Sequence, residues 1–394
     1  MAKRARVHSR DLQPQVATPK ALFAAARVQR FDFPMNMPTT AIDELGRKLH
    51  VGTTKEIPEV TVTMEAFDVS HNTFAYLTGY TPGTFPVSGV SITELKNADV
   101  IGQIRDSSTK NIVNALYVKR AAVTGMDASF GVRDNSTISY TFSANSKKEF
   151  KYPVYYENFT LVAASGVQSL SHTPEYLTRT SGYIIDAYRT GTDGSTGYID
   201  EGTDFTVTGA NLNFTGSNVA AGDTIWVTYE YNGQKTFETL DDVAPAAIQG
   251  KYVPLTISVS GIKRVQSATI RVAFSSEQIL EMGGLGKPVG YELGVPSVTG
   301  DISVLKTDND ILNVLEGTSN STENDMEYAL STLSLKIQLK NPANPSEVLL
   351  TYYVPSITIT SEGDTDSVNQ SMNETFAWES TTGELIVISG VGPY

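Results

Sequence analysis

Residues 57–68 read IPEVTVTMEAFD. Val60, Val62, Met64 and Ala66 alternate there with Thr61, Thr63 and Glu65, which predicts a strand with one buried and one wet face. The following SHNTFAYLTG puts apolar positions three and four apart behind Asn72 as N-cap and stops at Gly79, so one short amphipathic helix is expected. The unit recurs at 295–317, VPSVTGDISVLKTDNDILNVLEG, with Asp308 or Asp310 as N-cap and Gly317 as stop.

The recurrence extends beyond this unit. RVQ at 27–29 returns at 264–266, an offset of 237, and Ile42, Glu44 and Gly46 meet Ile279, Glu281 and Gly283 at the same offset. Pro58, Val60, Thr61, Leu77 and Gly79 meet Pro296, Val298, Thr299, Leu315 and Gly317 at 238. LYVKRAAVT at 116–124 faces YYVPSITIT at 352–360 at 236, and Tyr140 and Phe142 face Phe376 and Trp378. Four blocks in one order, drifting by no more than two residues, read as an internal duplication. Each copy is expected to run strand (26–35 or 262–274), short helix (39–47 or 275–283), flexible loop, strand, amphipathic turn, then two strands near 116–126 and 137–143 or 349–360 and 373–379.

Between the copies, YIIDAYRTGTDGSTGYIDEGTDFTVTG and AAGDTIWVTYEYNG show short alternating strands with Gly/Asp/Asn turns, the pattern of a small β-sandwich. The expected fold class is therefore mainly β. Two antiparallel barrel or sandwich domains at 25–167 and 251–394 flank an inserted β-sandwich at 168–250, with a few short helices and a basic arm at 1–24.

Charge sharpens this plan. Of the 394 residues, 1–30 hold seven Lys/Arg (Lys3, Arg4, Arg6, Arg10, Lys20, Arg27, Arg30) against Asp11 alone, a balance of +6 that leaves −19 for the rest of a chain whose net charge is −13. An acidic body disfavours a wrapped nucleic-acid partner, because phosphate binding is driven by Lys/Arg and counterion release. Lys3, Arg4, Arg6 and Arg10 are candidates for an arm that reaches an acidic neighbouring subunit. There is no cysteine, which excludes disulfides and thiolate chemistry. No apolar run approaches a membrane span, and ALFAAA at 21–26 is too short for a signal peptide, so synthesis in a cytoplasm without Sec export is expected.

Candidate chemistry is sparse. His8, His50, His71 and His172 are scattered without metal spacing. GGLGKPVG at 283–290 lacks the phosphate-loop spacing, and DGSTGYID and EGDTD lack that of a calcium loop. No catalytic, cofactor or metal residue is assigned, and a non-enzymatic, cofactor-free protein is expected.

A strand, a helix ending near ELG or EMGG, a long loop, a PxVT strand and a turn ending in L-x-G resemble, over both repeats, the tail tube proteins of long-tailed bacteriophages. The AAGDTIWVTYEYNG stretch is similar to Ig-like modules of phage structural proteins. The resemblance implies a virion protein that stacks as rings, homotrimeric and pseudo-sixfold here, into a hollow tail tube. Its partners would be its own copies, a tape-measure protein, and tail tip and terminator proteins, with DNA passing transiently and no membrane insertion. By position it assigns the loops at 46–57 and 283–295 to ring contacts, with Arg47, Lys48, Lys55, Lys287 and Tyr291 as candidates. These two loops differ, one basic and one nearly neutral. On the wet face, Glu59, Glu65 and Asp301 are candidate lumen acids, since like charge keeps DNA from sticking. The competing reading is a cell-surface adhesin or surface-layer protein of Ig-like repeats.

Overall fold

A computed structural model describes residues 11–18, 21–42, 52–55, 58–67, 71–178, 181–193, 195–216, 218–238, 247–258, 260–280, 288–305, 315, 333–365 and 372–392. The protein is mainly β and antiparallel. In chain order the strands are β1 (Leu12–Thr18), β2 (Ala21–Ala24), β3 (Val28–Asp32), β4 (Met35–Asn36), β5 (Thr39–Ile42), β6 (Gly52–Lys55), β7 (Glu59–Ala66), β8 (Val90–Ser91), β9 (Ala98–Arg105), β10 (Ile112–Gly131), β11 (Thr137–Ala144) and β12 (Lys147–Phe150). Next come β13 (Val154–Thr160), β14 (Ser165–Ser169), β15 (Ile184–Thr190), β16 (Thr196–Tyr198), β17 (Phe205–Thr208), β18 (Asn211–Thr215) and β19 (Thr224–Glu230). The last are β20 (Leu255–Ile257), β21 (Ser260–Gly261), β22 (Val265–Leu280), β23 (Pro288–Leu305), β24 (Leu333–Asn341), β25 (Asn344–Thr365), β26 (Asn373–Ser380) and β27 (Ile386–Ser389). Helix α1 spans Asn72–Thr78.

The chain divides into two compact units, 1–25 with 97–121 and 146–241, and 26–96 with 122–145 and 242–394. In the first, β1 pairs with β2 and β9, and β9 with the Ile112–Ala121 part of β10, which also carries β12. The sandwich belongs here: β13-β19-β15-β16 faces β14-β18-β17 across Leu161, Phe205, Leu212, Phe214, Ile225 and Tyr229. It begins at Val154 rather than 168, because β13 pairs with β19 along its whole length. Likewise Leu12–Thr18 and Ala21–Ala24 are a hairpin with Val16 and Ala17 fully buried, so that part of 1–24 is sheet rather than arm.

In the second unit one sheet runs β3, β7, β11, β10 (from Gly125), β22, β23, β26 and the end of β25. The alternation expected in β7 is present: Val60, Val62, Met64 and Ala66 are buried. Helix α1 ends at Gly79 with φ 82°, a left-handed C-cap that glycine adopts without strain. Its N-cap position is His71, one residue before the expected Asn72, whose side chain is buried.

The described parts of two expected helices, 39–42 of 39–47 and 275–280 of 275–283, are strands instead. Thr39–Ile42 pairs with Gly52–Lys55, and Ser276–Ile279 pairs with Gly290–Leu293. Thr39, Thr40 and Ile42 are β-branched, and a strand partner outweighs the weak helical spacing of such short segments.

The two copies share one wiring. Pairs β3–β7, β7–β11, β11–β10, β10–β9, β9–β1 and β10–β12 recur as β22–β23, β23–β26, β26–β25, β25–β24, β24–β20 and β25–β27. A bulge between Val123 and Gly125 recurs between Ile359 and Ser361. The RVQ repeat marks a shared corner. Arg27 and Arg264 are both left-handed, with φ 56° and 61°. Their carbonyls accept from the Phe67 and Leu305 N–H (3.2 and 3.1 Å) and from Gln29 and Gln266 Nε2 (3.0 and 3.1 Å). Leu77 and Leu315, equivalent by sequence, are both helical and fully buried.

Candidate assembly interface

The duplication matters because the chain joins its own copies. From Gly125 to Gly131, β10 of copy one pairs with β22 of copy two, Gly125 opposite Ala273 and Gly131 opposite Ser267. On the buried side Met126, Ala128 and Phe130 meet Val272, Ile270 and Ala268. On the wet side Asp127 lies opposite Arg271, whose guanidinium contacts Asp301 at 2.9 Å. Partial burial pushes the Asp127 carboxyl up, against the opposing pull of Arg271. A second seam pairs Ile386 and Val387 of β27 with Ser91 and Val90 of β8.

Mapping the β10–β22 seam through the repeat identifies its counterparts. The equivalent of β10 beyond its bulge is Ser361–Thr365 of β25, and that of β22 is the β3–β4 segment. Among the described residues, Ser361–Thr365 has one ladder neighbour, β26, and β3 and β4 have one, β7. Both are sheet edges, and an unpaired edge is a template for another strand. Pro34 does not spoil the β3–β4 edge. Its carbonyl already accepts from Thr61 N–H at 3.2 Å, on the β7 side, so the N–H that proline lacks would not point outward. Met35 is 37% exposed and Met37 68%, apolar side chains beside that edge awaiting cover. The equivalence is imperfect at the core-facing pairs: Met126 and Val272 become Glu362 and Met35, and Ala128 and Ile270 become Asp364 and Phe33.

The wet face of the same sheet is a carpet of short polar side chains. Thr61, Thr63 and Glu65 on β7 continue through Ser143, Thr141 and Ser139 to Asp127, Thr269 and Arg271, then Thr299, Asp301 and Ser303, then Thr375 and Glu379. With Arg30 and Asp32 of β3 and the exposed Glu59 added, carboxylates outnumber guanidinium groups. Both arginines are ion-paired, Arg30 to Asp32 and Arg271 to Asp301. A guanidinium held by a carboxylate offers little to phosphate.

The expected lumen acids fall on this face. Glu59 and Glu65 stand there, but Asp301 is tied to Arg271 and accepts from Thr269 Oγ1 at 3.3 Å, so its charge is offset. Sequence reasoning missed Asp127 and Glu379, although GMDASFG and NETFAWES show the same alternation as β7. Lys55 lies in β6, and Tyr291 in β23 opposite Gln278, so the stretches taken as ring-contact loops include hairpin arms. Lys3, Arg4, Arg6, Arg10, Arg47, Lys48 and Lys287 lie outside the described residues.

No family model matches the chain, and no curated protein matches it in sequence.

Proposed function

We propose that the protein is a structural subunit of a bacteriophage tail tube, assembling as stacked rings whose wall continues from chain to chain through the β3–β4 and β25 edges. The single observation that carries this reading is the β10–β22 seam. It is a head-to-tail contact between equivalent modules, and a head-to-tail contact closes into a ring when its rotation completes a full turn. Three chains would supply six modules. The hydroxyl-rich, acidic face, without an unpaired guanidinium among the described residues, suits a bore through which DNA slides, and tape-measure, tip and terminator proteins are the partners such a tube requires. The resemblance described above supports the same function, which is structural and virion-borne.

Because the chain lacks cysteine, the seam between chains is testable by cross-linking. Register transfer places Glu362 opposite Met35, a cross-strand distance that a disulfide spans. Met35→Cys combined with Glu362→Cys is expected to give covalent trimers on oxidation of concentrated protein, while each single variant stays uncross-linked beyond chance dimers. Negative-stain images should show tubes. Particles that remain monomeric at every concentration, with no intermolecular disulfide, would refute the reading.

A further inference from the structure

The first unit contains a buried polar cluster that lies on neither of the proposed assembly edges. Asp99 on β9 is fully buried and Asp186 on β15 of the sandwich is 2% exposed. Both cations of the cluster lie on Asp186. Arg120 donates through Nε at 3.0 Å and Nη2 at 2.7 Å, and Lys119 Nζ stands 2.9 Å away. Among the described residues Asp99 receives only neutral donors: the Tyr117 hydroxyl, the Tyr188 hydroxyl at 2.9 Å and the Arg120 backbone N–H at 2.8 Å. Tyr156 of β13 and Tyr198 of β16 complete the groups facing it, and Arg120 stacks over the Tyr198 ring at 3.3 Å. Around this polar centre Ala17, Ile101, Ala115 and Tyr117 pack on Val154 and Ile185. The cluster thus lies where the sandwich sheet meets the β1–β9–β10 sheet, with residues from both.

We propose that this is a proton-dependent joint: Asp99 carries a proton while the sandwich is docked on the β1–β9–β10 sheet and releases it when the two come apart. A second ionised carboxylate in the same dry site faces Asp186 with no cation of its own, since both are already committed. Consistent with that geometry, burial first and Asp186 second push the Asp99 carboxyl from 3.8 up to about 7, although its three donors pull the other way. The docked form therefore binds one proton more than the opened form between those two values. The stability this contributes is full below about pH 4 and is lost as the pH rises through about 7. The joint loosens toward alkaline pH, opposite to the usual behaviour of a salt-bridged aspartate.

Infrared spectroscopy of the full chain reads the proton directly. A protonated-carboxyl band is expected to titrate away near pH 7 and to be missing in Asp99→Asn. Urea titrations followed by tryptophan emission read the opening, since Trp226 packs on Tyr156 at 5.4 Å beside the cluster. The opening constant of the wild type should rise by up to tenfold per pH unit across pH 5–7 and that of Asp99→Asn should not. Should Asp99→Asn fail to fold, Tyr188→Phe removes one donor to the ionised form and moves the titration upward. A band absent from the wild type, an unmoved titration in Tyr188→Phe, or the same slope in Asp99→Asn would overturn the joint.

Discussion

Replacing Gly300 with alanine is expected to destabilise the second unit by about 3 kcal/mol or more, because its strand has no room for a methyl group. A Cβ there would stand 2.0 Å from the Thr269 carbonyl oxygen and 2.5 Å from a ring carbon of Trp378. The first contact is backbone and belongs to the β22–β23 ladder, so neither strand yields without shifting register. Copy one shows why the position tightened. There Val62 lies opposite Phe142; here Gly300 lies opposite Trp378, the larger ring occupying what the smaller residue vacates. Adding Trp378→Phe to Gly300→Ala should recover only part of the loss, since the carbonyl contact persists. Urea unfolding of the single and double variants decides the matter. A Gly300→Ala protein as stable as the wild type would show that the strand is loose there.

Arg120→Ala is expected to cost the first unit about 3–5 kcal/mol. Removing the side chain takes both guanidinium contacts from the buried Asp186, leaving Lys119 as its remaining cation, and lifts the cover from the Tyr198 ring. Its φ of 51° adds strain that a single hydrogen bond to Asp99 helps to hold. Arg120→Lys should rescue only partly, since an ammonium cannot bridge both carboxylate oxygens in the planar fork. Thermal unfolding at fixed pH checks both. If Arg120→Ala melts with the wild type, Asp186 has no need of its fork. A partial loss with Arg120→Lys and a full loss with Arg120→Ala is the expected ordering.

Much of the wiring was legible because duplication makes a sequence its own comparison. Val60, Val62 and Met64 announced β7, and RVQ marked a corner whose left-handed arginine no propensity would have supplied. The tips were misread for a physical reason. Thr39–Ile42 and Ser276–Leu280 carry enough apolar spacing for a helix, and only their hairpin partners, Gly52–Lys55 and Pro288–Leu293, make them strands. The sandwich boundary at Val154 is hidden for another reason, since β13 joins β19 across 64 to 76 residues of sequence. Asp99 gave no local signal: one aspartate in NADVIGQ looks like any other until Tyr117, Tyr188 and Asp186 converge on it.

The seam between β10 and β22 closes inside one molecule, at an effective concentration fixed by the connecting chain, whereas any seam at β3–β4 and β25 waits on encounter between molecules. Damage to the same backbone geometry should therefore have two outcomes. At Met126 or Val272 it unravels the individual protein at any dilution. At Met35 or Ser361, under the proposed assembly, it leaves a sound monomer and raises the threshold concentration for polymer growth.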